Sequence, residues 1–113
     1  MITKEGDGNM SDLINETLNM AFDKFKKFGF KDEQIQQLVE SGKKDLEQES
    51  QKLIEVLKAP NLDFEMLNNS LHALKGLLLN MGNSDIANKL IELRNGDNSE
   101  DKIAEIKKIF NIK

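Results

Sequence analysis

His72 is the only histidine in 113 residues and the side chain with the widest chemistry open to it. Neutral imidazole is a nucleophile able to carry a covalent group. It stands in the segment LNNSLHALKGLLLNMG, Leu67 to Gly82, with Lys75 three residues on and Gly76 four. At those spacings side chains share one patch of helix surface. Lys75 supplies a fixed positive charge beside the ring. Gly76 is the odd member, because glycine inside a helix costs roughly 1 kcal/mol relative to alanine. Close approach of another surface would offset that cost, whether a partner's surface or a neighbouring helix. A bare spot one turn from an exposed imidazole would let a partner's active site reach the ring.

Other chemistry is scarce. Cysteine is absent, which excludes disulfides, thiolate metal sites and cysteine nucleophiles. A lone histidine leaves no His-His or His-Cys metal cluster. The phosphate-cradling P-loop and the glycine fingerprint of dinucleotide sites are both missing, so an autonomous kinase or dehydrogenase is not expected. Sixteen basic against twenty acidic residues give a net charge of −4, which argues against sequence-independent nucleic-acid binding. The acidic stretch GDNSED, Gly96 to Asp101, lacks EF-hand ligand spacing and reads as a turn followed by a helix N-cap. FDKFKKFGF interleaves Phe with Lys, a weak echo of nucleic-acid or membrane binding. Phe22 and Phe25 fit one helix face, so core packing is the stronger reading, with Phe28 or Phe30 covering the bundle end. No apolar run approaches the roughly 20 residues of a membrane span, and no signal-peptide core is visible, so a cytoplasmic location is the expectation.

The elements that must position His72 read as helices throughout. Residues 1–10 carry two glycines and no periodicity and are expected to form a flexible lead, with Met10 a conceivable native start. Residues 11–113 form one helical domain. Ser11 offers an N-cap, and Leu13, Ile14, Leu18, Ala21, Phe22 and Phe25 recur at helical spacing up to Gly29. Asp32 caps a short helix through Ile35, Leu38 and Val39. Gly42 interrupts as a kink or a stop, and a longer helix covers 43–58 until Pro60 closes it. Asp63 caps a helix from Phe64 to Met81, stopped by Gly82. Ser84 caps the next, which Asn95-Gly96 ends, and Ser99 caps the last. No window shows strand-like alternation. The expected fold is all-α: an antiparallel up-and-down four-helix bundle with an additional N-terminal helix.

At roughly 100° per residue, Phe64, Leu67, Leu71, Leu74, Leu78 and Met81 fall on one stripe, the expected core face. His72 projects about 120° from the centre of that stripe, beside Glu65, Asn68 and Asn69, and is expected to face solvent.

His72-Ala73-Leu74-Lys75-Gly76, with Gly82 ten positions after the histidine, resembles the motif of histidine-containing phosphotransfer domains, the four-helix-bundle intermediates of bacterial phosphorelays. It is similar also to the phosphotransfer domain of chemotaxis kinases. The resemblance spans about residues 28–112: FGFKDEQIQQLV, the long helix to Lys58, the Asn83–Arg94 helix and the final helix follow the family's order. It implies that His72 accepts a phosphoryl group from a receiver-domain aspartate, or from a kinase, and passes it to another receiver. Lys75 would stabilise the phosphoryl oxygens, and Gly76 would leave room for the receiver. Gly76 and Leu79 would form the docking patch, with Asn68 and Asn69 as polar surface that could touch the partner. Magnesium would belong to the partner receiver, and the chain itself would need no cofactor and no nucleotide. Partners would be response-regulator receivers and a sensor histidine kinase, with this chain a monomeric carrier.

The pattern departs from the family at Leu77, Leu78 and Leu79, where small residues are usual; Leu79 lies at the edge of the His72 face, as docking surface or as obstruction. A glutamate late in the following helix often assists in the family, but Glu92 lies slightly early and Arg94 takes the nearer position, so that role is not carried over. The alternative is a non-catalytic helical adaptor binding a signalling partner through the same face. A histidine-kinase dimerisation hairpin fits less well, since Ala73 follows the histidine where an acidic residue is usual and no proline lies downstream.

Overall fold

The computed structural model describes residues 5–112, with side chains from Asp12 onward, and every regular element is a helix. The order is α1 (Glu5–Lys27), α2 (Asp32–Lys58), α3 (Phe64–Asn80), α4 (Ser84–Asn95) and α5 (Glu100–Phe110). Helix α1 packs on α2 and α5, α2 on α3, α3 on α4, and α4 on α5. No helix among the described residues is long and apolar enough to cross a membrane.

Local rules set most of the ends. Asp63 Oδ1 accepts from the backbone N–H groups of Glu65 at 2.9 Å and Met66 at 3.3 Å, and Ser99 Oγ accepts from Lys102 N at 3.4 Å. Ala59, ahead of Pro60, is extended, which stops α2 at Lys58. Helices α1 and α3 both close with glycine in the left-handed region, Gly29 at φ +88° and Gly82 at φ +92°. Each makes a complete Schellman pair: Phe30 N to Phe25 O and Gly29 N to Lys26 O, then Asn83 N to Leu78 O and Gly82 N to Leu79 O.

Several boundaries differ from the sequence expectation. Helix α1 begins at Glu5 rather than after Ser11, and nothing between them has proline's power to break a helix. Residues 1–4 of the expected lead lie outside the described residues, as do the side chains of Met10 and Ser11. Asp32 is the first residue of α2, not its cap; Lys31 holds that position, and the Gln34 side chain accepts from its N–H at 3.0 Å. Gly42 does not stop the chain, because α2 runs through it unbroken. Its bareness serves packing instead: a Cβ there would lie 2.6 Å from Met81 Cε and 2.8 Å from Met81 Sδ. Phe25 packs at the edge of the core, but Phe22 is substantially exposed, since it sits one step round the helix from the stripe of Ile14, Thr17 and Ala21. Phe28 and Phe30 are exposed as well, with Phe30 edge-on to Phe25.

The core gathers Ile14 and Ala21 of α1, Leu46, Leu53 and Val56 of α2, Leu67, Leu71, Leu74 and Leu78 of α3, Ala87 and Leu90 of α4, and Ile106 and Phe110 of α5, closed at one end by Met81. Among the described residues, one hydrogen bond joins two buried side chains. Asn83, rather than Ser84, caps α4: its Oδ1 accepts from Ile86 N at 3.4 Å while its Nδ2 donates to Thr17 Oγ1 at 2.9 Å. Both side chains are buried. Asn83→Ala removes the cap and leaves the Thr17 hydroxyl buried without its donor. The expected loss is about 2–3 kcal/mol of unfolding free energy in a urea titration. The double variant with Thr17→Val should lose less than the sum of the two single changes.

Candidate functional site

Helix α3 sits between α2 and α4, so its inner stripe is fixed from both sides. Leu67, Leu71, Leu74 and Leu78 are essentially without solvent exposure, and Met81 continues the row. With that face committed, helical geometry turns His72 outward, and it is exposed as expected.

The surface around His72 has two flanks. Counting about 100° per residue, Asn68 and Lys75 lie about 40° and 60° to one side of His72, one turn before it and one turn after. Gly76 and Asn69 lie at matching angles on the other side. Lys75 is half-buried and enters no ion pair among the described residues. A Cβ added to Gly76 would meet nothing within 4 Å. Among the described residues, close packing against another helix therefore does not explain the glycine. Beyond Asn69, between the C-terminal half of α2 and the start of α3, runs a groove of about 420 Å³ lined in part by Lys52, Val56, Ala59, Asp63 and Met66.

Leu77 and Leu78 turn inward, half-buried and buried respectively, so neither obstructs the face. Leu79 is 39% exposed and extends the face toward the end of α3. That end is held by α1: Lys24 Nζ donates to the carbonyl oxygens of Leu79 at 3.4 Å and Asn80 at 3.0 Å. The last turn of α3 contains no basic residue, and this cross-helix ammonium complements its carbonyl end.

Sequence reasoning missed Lys102. In a run as charged as EDKIAEIKK it reads as a solvated residue, yet it is buried. Its ammonium donates to Asn68 Oδ1 at 2.8 Å, Asn98 Oδ1 at 3.0 Å and Arg94 O at 3.5 Å, joining α3, the end of α4 and α5. Burial pushes its pKa below the usual lysine range, the Arg94 charge adds to that, and Asp97 opposes it. Asn98 faces an ammonium, so the loop between α4 and α5 supplies one of the acceptors of Lys102. Asn68, expected as polar surface open to a partner, is partly engaged in holding the fold. Asn69 is exposed and carries no such bond. Among the described residues no three His, Asp or Glu side chains come together to hold a metal ion.

The arrangement presents a nucleophilic ring on a rigid helix, with an ammonium and an amide on one flank and open surface on the other. Comparison with protein-family models, with curated proteins and with solved structures returned no match.

The open space at Gly76 gives a direct expectation. Gly76→Ala should stabilise the fold by roughly 0.5–1 kcal/mol through helix propensity, with no steric penalty, as measured by the urea midpoint at unchanged slope.

Proposed function

We propose that this chain is a phosphotransfer intermediate of a two-component phosphorelay, as its resemblance to histidine phosphotransfer domains implies. The observation that carries the reading is the combination on α3: an exposed His72, Lys75 one turn on, and a Gly76 that no packing among the described residues requires. In this reading α2 to α5 form the up-and-down four-helix bundle and α1 is the additional N-terminal helix. The chain acts in the cytoplasm as a monomeric, stoichiometric carrier.

An exposed nitrogen of neutral His72 attacks the phosphorus of an aspartyl phosphate on a receiver domain. The P–N bond forms as the P–O bond to the aspartate breaks, the carboxylate departs with the bonding pair, and the proton on the other ring nitrogen passes to solvent. A second receiver's aspartate then takes the group in the reverse sense. Phosphoryl transfer relies on positioning and charge stabilisation, so the chain's part is to hold the ring still, offer the Lys75 ammonium to the phosphoryl oxygens and leave Gly76 clear for the receiver's site. Magnesium belongs to the receiver. Asn69, Gly76 and Leu79 provide docking surface, with Asn68 at its edge.

The test is incubation with phosphorylated receiver domains from the same organism. Acid-labile, base-stable phosphate should appear on the wild type, be absent from His72→Gln, and leave when an unphosphorylated acceptor receiver is added. Lys75→Ala should slow the transfer about 10- to 100-fold, as expected for one charge-assisted hydrogen bond lost from the transition state. No label from any well-phosphorylated receiver would overturn the reading in favour of the helical adaptor, which binds through the same face without chemistry.

A further inference from the structure

An ammonium has three donors and no acceptor, so the group that Asn68 turns toward Lys102 must be its carbonyl oxygen. The Asn68 amide is thereby fixed in sense: Oδ1 points inward and the Nδ2 hydrogens point away from Lys102. Among the described residues Nδ2 donates to no protein group, and Asn68 is only half-buried. His72 lies one turn further along α3. Helical side chains lean toward the N-terminus, which carries the imidazole back over the turn that holds Asn68. Lys75 lies on the same flank, one turn the other way.

We propose that Asn68 is a second donor to a phosphoryl group on His72, and that Lys102 is the positioning residue that aims it. The inference rests on the phosphotransfer reading above. The phosphoryl oxygens sit between Asn68 Nδ2 and Lys75 Nζ, while the opposite flank, with Gly76 and Asn69, stays free for the partner. Lys102 acts through Asn68 alone and does not touch the phosphoryl group. Its three acceptors lie on α3, on α4 and in the loop between α4 and α5, and Lys102 itself stands on α5, so the amide is held by the packing of α3, α4 and α5 together.

The experiment uses the full chain and phosphoramidate, a small donor that needs no receiver. The donor's P–N bond breaks as the P–N bond to His72 forms, and ammonium leaves carrying the ring proton. Asn68→Asp keeps an acceptor for Lys102 and so keeps the structural tie, but removes the donor. It should retain the wild-type melting temperature and lower the rate of His72 phosphorylation roughly tenfold or more. Lys102→Met should slow the reaction as well, and combining it with Asn68→Ala should cost no more than Asn68→Ala alone. In the nitrogen–proton spectrum the Asn68 side-chain amide should shift on phosphorylation of the wild type and stay in place in Lys102→Met. A wild-type rate in Asn68→Asp, or multiplicative losses in the double variant, would overturn the assignment while leaving the phosphotransfer reading standing. Absence of label on wild-type His72 would overturn that reading itself, and the assignment with it.

Discussion

Helix α3 has to satisfy two surfaces with one periodicity, and the rest of the structure depends on that constraint. Four leucines spaced by four, three and four residues, Leu67, Leu71, Leu74 and Leu78, must meet α2 and α4 without a gap. The same turn of the backbone then decides what stands on the outer side: His72, with Asn68 and Lys75 on one flank and Asn69 and Gly76 on the other. A shift of one residue in the buried register would rotate His72 by about 100° and take the patch out of reach. The dry leucine stripe is therefore what aims the imidazole.

Polar ties from other elements hold the edges of α3 where apolar packing alone would leave it free to slide. Lys24 of α1 takes the carbonyls at its C-terminal end. Just beyond that end, Asn83 links the start of α4 to Thr17 of α1. Lys102 of α5 grips Asn68 from the side. These bonds are directional, whereas burial of leucine is not. Two of them occupy side chains that are themselves buried, where a lost partner is costly. The positioning of the outer face is thus distributed over α1, α4 and α5.

What the sequence made legible follows the range of the interactions involved. Asp63, Ser99, Pro60, Gly29 and Gly82 act within a few residues of themselves, and their roles could be read directly. The outward placement of His72 was legible for the same reason, since it follows from the spacing of α3 alone. Gly42 was not, because the neighbour its bareness accommodates is Met81, at the C-terminal end of α3 and far away in sequence. Asn83 and Ser84 are adjacent and both able to cap; the bond from Asn83 to Thr17, 66 residues away, distinguishes them. Lys102 sits among charged neighbours, and only its three-dimensional company takes it out of water. The outer face of the candidate site was therefore legible, and the support beneath Asn68 was not.

In the proposed phosphotransfer role, α3 gives up helix stability at Gly76 to keep an approach to His72 open. The decisive experiment follows phosphoryl arrival on His72 from a phosphorylated receiver in wild type, Gly76→Ala and Gly76→Leu, with phosphoramidate labelling of the same three chains as the partner-free reference. Transfer from the receiver should slow progressively as the side chain at position 76 grows, while labelling by phosphoramidate changes little. Equal receiver transfer in all three chains would contradict that role for Gly76.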